Sequence, residues 1–131
     1  MLQFRSAKEN LQRKIFNGGV DMKTWKCGVC GYVHFGDAAP DKCPKCGAPK
    51  EKFIELTEEQ AALIAKSSRT NDLHMIFCHL MDKVIKICDE GIELNLDPGC
   101  VAAFKKGKEQ CEVLKNISKA EMAAHVMKSK W

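Results

Sequence analysis

Two pairs of cysteines are the residues of this chain whose types and spacing most directly indicate chemistry. Cys27 and Cys30 form one C-x₂-C pair, and Cys43 and Cys46 form another after a gap of twelve residues. Two residues between cysteines let both sulfurs of a turn face one point, so two such turns supply four thiolates in a tetrahedral arrangement. The pattern predicts a metal site with these four cysteines as ligands, and zinc and iron both suit four sulfurs.

The residues around the cysteines fit such a site. Gly31 and Gly47 follow the second cysteine of each pair, and glycine allows the positive φ that completes a tight turn. We expect backbone N–H groups in these turns to point at the sulfurs, where they offset thiolate charge and tune the reduction potential of the metal. The expected donors are the backbone N–H groups of Val29, Cys30, Tyr32, Lys45, Cys46 and Ala48.

Disulfides or free thiols are the alternative to a metal site. The doubled C-x₂-C pattern, in a chain without a visible secretory signal, favours metal binding. The cysteine-rich segment, about 34 residues long, is also too short to fold around an apolar core alone. Metal binding should therefore be inseparable from the folding of this segment.

The two cysteine segments resemble the rubredoxin domain of rubrerythrins. Residues 25–34 read WKCGVCGYVH and residues 43–53 read CPKCGAPKEKF, and the short gap between the pairs matches the rubrerythrin version of this domain. The resemblance covers residues 23–56 and implies that the four cysteines ligate one iron ion. It also places aromatic side chains around the site, namely Trp25, Tyr32, Phe35 and Phe53.

The resemblance implies a one-electron carrier whose iron alternates between ferric and ferrous states while its ligands stay in place. Such a carrier needs no catalytic acid, base or nucleophile. By the same resemblance, its partners would be a flavin-containing reductase and a peroxide- or oxygen-reducing enzyme in oxidative-stress defence. The alternative interpretation is a zinc ribbon that holds the fold while the helical region binds another protein.

A rubrerythrin also has a four-helix di-iron domain, which needs a Glu-x-x-His motif on two of its helices. This sequence contains no Glu-x-x-His motif, since Glu121 precedes His125 by four residues. We therefore expect no di-iron centre after residue 56, and an electron carrier more than an enzyme. The metal domain also comes first in this chain, which reverses the rubrerythrin order.

Composition and turn signals divide the chain into an N-terminal helix and linker at residues 1–21, a cysteine-rich domain at 22–56 and a helical domain at 57–131. The expected fold class is α+β, with a small rubredoxin-like, metal-bound β domain followed by an α-helical bundle. Capping boxes and apolar residues at helical spacing predict four helices in the last part. Their expected ranges are 57–66, 71–90, 98–115 and 118–128, with Gly91 ending the second and Asp97-Pro98 starting the third.

Four more cysteines lie in the helical part. If the second and third helices form an antiparallel hairpin, Cys88 would lie level with Cys100, and Cys78 with Cys111. We favour the interpretation that these are small buried apolar residues, and a redox-active dithiol or structural disulfides are the alternatives. His74 and Cys78 share a helix face, where a packed core edge is favoured over a second metal site.

Bulk properties exclude several classes of function. The net charge of +4 is too small and too evenly spread to indicate nucleic-acid binding. No apolar run approaches the roughly 20 residues that span a bilayer. We expect no membrane partner, a cytoplasmic and reducing location, and a homodimer through the helical domain as one use of that domain.

Overall fold

The computed structural model describes residues 23–131, which form two compact units divided between Lys66 and Ser67. The N-terminal helix and linker predicted at residues 1–21 lie outside the described residues. The predicted domain boundary at residue 56 stays a prediction. Along the chain, the described residues form a small β-sheet followed by two helices, which confirms the expected α+β fold class.

The sheet of the first unit has three short antiparallel strands in the order β2–β1–β3. They are β1 (Thr24–Cys27), β2 (Val33–Phe35) and β3 (Phe53–Glu55), and a single 3₁₀ turn at Lys50–Lys52 precedes β3. Within the sheet, Trp25 of the central strand lies opposite a residue of each edge strand. The central strand ends at Cys27, so the sheet positions the first sulfur of the site.

The core of the first unit is small and contains two of the site's cysteines. Its buried members are Cys27, Ala39, Cys43 and Phe53, and the side chains packed against them are Trp25, Cys30, Tyr32 and Ala48. The Trp25 indole N–H donates to the Gly36 carbonyl oxygen at 3.1 Å, which fixes the ring at the edge of this core. Phe35 lies outside the core at 39% exposed, so three of the four expected aromatic side chains surround the site.

Two long helices, and not four, follow the sheet. The first is α1 (Glu58–Leu94) and the second is α2 (Pro98–Met127). The predicted breaks near residues 67–70 and 116–117 are wrong. Neither place has the proline that ends a helix or the glycine that commonly follows its last residue, so the helical hydrogen bonds continue through both.

The buried polar residues near these two places form contacts within the second unit. Ser67, Asn71 and Ser118 are buried inside the second unit. The Asn71 amide donates to the Lys130 carbonyl oxygen at 2.8 Å, and the Ser67 hydroxyl donates to the same oxygen. Capping-type residues inside a helix therefore serve here as polar contacts of the hairpin interior.

The connection between the helices was predicted correctly at one end only. Asp97 caps α2, since its carboxylate accepts the Cys100 backbone N–H at 2.7 Å, and Pro98 occupies the first turn. Gly91 does not end α1, because the helix runs three residues further and Asn95 follows it at φ +45°. A Cβ at Gly91 would lie 2.3 Å from the Phe104 ring, so this glycine permits close approach of the two helices.

We expect Asp97→Ala to lower the thermal midpoint of the hairpin by roughly 4 °C at pH 7, because the first turn of α2 loses its cap. The Cys100 backbone N–H holds the pKa of Asp97 below its ordinary 3.8. This stabilisation is therefore present above pH 3.8 and is lost as the pH falls through the lower folded value. Asp97→Asn, which keeps a capping oxygen, is the control. Equal midpoints for the alanine variant and the parent at pH 7 would contradict the cap's role.

The helices pack as an antiparallel hairpin whose register is set by paired side chains. Lys115 donates to Asp82 at 2.5 Å and Lys108 donates to Asp89 at 2.6 Å. The Lys115 ammonium holds the pKa of Asp82 below its ordinary value, and Asp89 raises the pKa of Lys108. These pairs are half-exposed, so they contribute more to alignment than to stability.

This register contradicts the predicted cysteine pairs. The Cys88 sulfur lies against Gly107, and the Cys78 thiol lies 3.8 Å from the Lys115 carbonyl oxygen. All eight cysteines are free thiols, and three of the four in the hairpin are buried. The interpretation of these three as small buried residues is therefore confirmed.

Neither helix among the described residues contains a stretch with the length and hydrophobicity that a bilayer-spanning segment needs.

Candidate metal centre

The structure brings the four predicted ligand sulfurs into one cluster. The sulfurs of Cys27, Cys30, Cys43 and Cys46 all lie within 4.8 Å of one another. The Cys30–Cys43 sulfur distance is 3.5 Å and the Cys27–Cys46 distance is 3.7 Å. These distances exceed the roughly 2.0 Å of a disulfide, so the sulfurs are not bonded to each other. The disulfide alternative is therefore wrong for this site.

Two similar turns hold the sulfurs, one after β1 and one before the 3₁₀ turn. In the first, the Cys27 N–H donates to the Tyr32 carbonyl at 2.8 Å; in the second, the Cys43 N–H donates to the Ala48 carbonyl at 2.8 Å. The glycine N–H that follows each pair donates back to the first cysteine's carbonyl at 2.9 Å. The two turns are therefore near copies, which gives the site approximate two-fold symmetry.

Glycine at the end of each turn is required by the backbone. Gly31 has φ +81° and Gly47 has φ +74°, as the sequence predicted. A Cβ at Gly47 would meet no atom within 4 Å, so only the backbone conformation restricts this position.

We expect Gly47→Ala to destabilise the metal-loaded first unit by about 1 kcal/mol, the cost of placing an L side chain in the left-handed region. Gly47→Asn should cost less, because asparagine tolerates this conformation better. Chemical denaturation of both variants, followed by the metal-dependent absorbance, measures the difference. If the alanine variant were as stable as the parent, the strain argument would fail.

Backbone N–H groups point at the sulfurs from within each turn. The Cys30 and Val29 N–H groups bond the Cys27 sulfur and lower its pKa, although burial opposes them. In the second turn, the N–H groups of Cys46 and Lys45 bond the Cys43 sulfur. The Ala48 N–H bonds the Cys46 sulfur. Five of the six predicted donors are thus confirmed, and the Tyr32 donor stays a prediction.

The thiols of Cys43 and Cys46 do not ionise equally. Burial raises the pKa of Cys43, but the backbone N–H groups and neighbouring sulfurs outweigh it and bring the value to about 6. The Ala48 N–H lowers the pKa of Cys46, but burial and the three neighbouring sulfurs outweigh it and raise the value to about 12. One sulfur therefore keeps its proton at neutral pH unless a cation balances the charge of the others.

The residues present fit a single tetrahedral metal ion. Metal–sulfur bonds of about 2.3 Å in a regular tetrahedron give sulfur–sulfur edges of about 3.8 Å, close to the two shortest distances of 3.5 and 3.7 Å. Among the residues the structure describes, these four cysteines are the cluster of at least three ligand-type side chains that could hold a metal ion. The assignment of the four cysteines as ligands stays a prediction, to be tested by metal content.

Exposure separates the four sulfurs into an inner and an outer pair. Cys27 and Cys43, the first cysteine of each turn, are 1% and 3% exposed, whereas Cys30 is half-buried and Cys46 is exposed. Val29, between the first two cysteines, is 63% exposed. The site therefore has a face closed by the core and a face on which the outer cysteines are open to solvent.

Comparisons with known proteins match the same segment. The family model described as "Rubrerythrin, rubredoxin-like domain" matches residues 25–54. Reverse rubrerythrin-1 of Clostridium acetobutylicum is 58% identical over 38 residues, 29% of this chain and 21% of that protein. Rubrerythrin of Nitratidesulfovibrio vulgaris is 55% identical over 29 residues, 22% of this chain and 15% of that protein. The chain thus spans about a fifth or less of the length of these two relatives.

A shorter relative is matched over its whole length. Rubredoxin-2 of Chlorobaculum tepidum is 36% identical over 52 residues, which cover 27% of this chain and 100% of that protein. The fold and the four-sulfur site define the class, a rubredoxin-like metal-binding domain. Through this segment the chain belongs to the rubredoxin family, in the version found in rubrerythrins, and without a match to the di-iron domain.

Proposed function

We propose that the chain is a one-electron carrier whose four cysteines hold a single iron ion. The observation that carries the proposal is the cluster of four sulfurs within 4.8 Å, supplied by a rubredoxin-like domain. When bound there, iron would supply a reversible change between its ferric and ferrous states. The partner proteins and the defence role are further parts of the same proposal.

The chain's own residues favour electron transfer over bond-making chemistry. Four sulfurs complete a tetrahedral ligand set, whereas catalytic zinc sites use three protein ligands and keep one position open. Four amide N–H donors on the inner sulfurs, from Val29, Cys30, Lys45 and Cys46, offset the added negative charge of a reduced centre. Burial of Cys27 and Cys43 keeps water from the inner side of the site. The ligand set therefore needs little rearrangement when one electron arrives.

Metal content and colour test this proposal against the zinc-ribbon alternative. We expect about one iron per chain in protein from the native source, with visible absorbance that one equivalent of reductant bleaches and air restores. Native protein that holds only zinc would be colourless and would overturn the electron-transfer proposal. Recombinant protein loaded separately with iron and with zinc provides the spectroscopic controls.

The partners follow from the number of electrons. A two-electron-reduced flavin can reduce two ferric centres in turn, and two ferrous centres supply the two electrons that, with two protons, reduce hydrogen peroxide to two water molecules. We therefore propose a flavin-containing reductase as donor and a peroxide- or oxygen-reducing enzyme as acceptor, in oxidative-stress defence. The relatives named rubrerythrin support this context. The free cysteines suit a reducing cytoplasm, which we propose as the location.

Electron transfer reconstituted from the separate proteins tests these partners. An NADH-dependent flavin reductase should reduce the iron-loaded protein with two centres reduced per NADH. Adding a peroxide-reducing rubrerythrin and hydrogen peroxide should reoxidise the iron far faster than peroxide alone. Equal reoxidation rates with and without that enzyme would count against the acceptor, while reversible bleaching would still support the carrier.

A further inference from the structure

The fully buried side chains of the second unit are small or polar. From Ser67 onward, no leucine, isoleucine, valine, methionine or phenylalanine of the described residues is buried. The buried side chains of this unit are Ser67, Asn71, Cys78, Cys88, Cys111 and Ser118. Stable helices in globular proteins bury an apolar face, whereas the larger apolar side chains of this unit, Phe77 and Phe104 among them, are at most half-buried.

The large apolar side chains of α1 lie outside instead, in one row that we call the apolar stripe. Its members are 47–74% exposed and are Leu73, Ile76, Leu80, Ile87 and Leu94. Four of them are spaced by seven residues, nearly two helical turns, so they follow one side of the helix. This side is turned away from the row of buried residues, and Met75 lies on the other side of the hairpin.

Helix α2 extends this apolar surface. Val113, Leu114 and Ile117 are 47%, 43% and 56% exposed. Viewed along each helix axis from its N-terminus, the exposed apolar residues lie in the same rotational direction from the buried residues of that helix. Because the helices run antiparallel, this rotation places both sets on the same side of the hairpin.

The size of this surface exceeds what a monomer normally exposes. At roughly 100 Å² apiece, the eight side chains present on the order of 800 Å², which is about one partner's share of a standard protein–protein interface. The largest apolar patch of a typical monomer is about 300–600 Å². The area is therefore what one half of a stable dimer needs.

We propose that the apolar stripe and its extension on α2 form an interface with a second copy of this chain. Two hairpins that share this face would complete a four-helix bundle, and the exposed leucine and isoleucine side chains would become its core. The same surface on both copies gives a closed two-fold dimer. This inference concerns the helices alone and stands independently of the metal assignment.

Sedimentation equilibrium of the full, metal-loaded chain tests the dimer. At about 100 μM, the expected mass is about 29 kDa, twice the 14.7 kDa of one chain. The double variant Leu80→Glu/Ile87→Glu should weaken dimerisation at least 100-fold, because charges would enter the interface. Met75→Glu, on the opposite side of the hairpin and 46% exposed, is the matched control and should stay dimeric.

Unfolding of the parent chain gives a second measurement if the double variant loses its helices. The thermal midpoint of a dimer rises with protein concentration, whereas that of a monomer does not. A parent mass of one chain, a midpoint independent of concentration, or an assembly that the double substitution leaves intact would each overturn the proposal. A monomer whose stripe is protected from hydroxyl-radical labelling would assign the face to another segment of the same chain, and would also overturn it.

Discussion

Substitution of Cys43 by alanine is expected to abolish metal binding and to unfold the first unit. Cys43 is 3% exposed, belongs to the small core and receives two backbone N–H groups on its sulfur. Because metal-binding free energy is folding free energy in such small domains, loss of one inner ligand removes both. Metal content should fall below about 0.1 per chain, and the strands at residues 24–55 should lose protection from amide exchange.

The control for this experiment is Cys100→Ala. Cys100 is another free cysteine, but it lies outside the cluster, with its sulfur 3.4 Å from Asp97. This variant should keep the full metal content and the parent's absorbance. A Cys43→Ala protein that held stoichiometric metal with an unchanged spectrum would show that the cluster is not the binding site.

Asn71→Ala is expected to have the largest effect in the hairpin, a loss of about 2 kcal/mol in the free energy of unfolding. Asn71 is 5% exposed. Its amide donates to Lys130, and its oxygen accepts from the His125 ring nitrogen at 2.5 Å. Alanine would leave the His125 nitrogen without this acceptor in a partly buried place, and an unsatisfied polar group costs more than the hydrogen bond itself contributes.

Urea denaturation followed by helical circular dichroism measures this effect. Thr70→Ala is the matched control, because Thr70 is the exposed neighbour on the same helix and should change stability by less than about 0.5 kcal/mol. Equal losses for the two variants would mean that helix propensity, and not the buried polar contact, determines the result.

The metal site could be predicted from sequence because its determinants are local. Each turn needs cysteines two residues apart and a glycine for the positive φ, and both requirements are visible as residue types. The donors follow from the same turn, which is why five of six N–H groups were found. The choice between zinc and iron was not accessible in this way, because both ions accept the same four sulfurs.

The helices were predicted less well because capping residues have two uses. A serine or asparagine can start a helix, or it can be buried inside one when a distant partner satisfies it. Ser118 illustrates the second use, since its hydroxyl lies 3.1 Å from the His74 ring nitrogen, 44 residues away along the chain. Asn71 and His125, which also contact each other, lie 54 residues apart along the chain. Only the folded hairpin brings such residues together.

The cysteine pairing failed through an error of a few residues in one boundary. The first helix of the hairpin was expected to end at residue 90 and ends at Leu94. Each residue added before a connection shifts which turns face each other, so a small error removes every predicted pair. Gly91 contributed to the error because glycine commonly ends a helix. Here its missing side chain instead leaves space for the Phe104 ring.

The polar contacts inside the hairpin also prevent the two helices from sliding. Bringing Cys88 to Cys100, or Cys78 to Cys111, would require a shift of four to seven residues, or roughly 6–10 Å at 1.5 Å per residue. Such a shift would break the His74–Ser118 and Asn71–His125 contacts together. The polar contacts thus favour the observed alignment, in which neither predicted pair of thiols is level enough for oxidation to cross-link it within one chain.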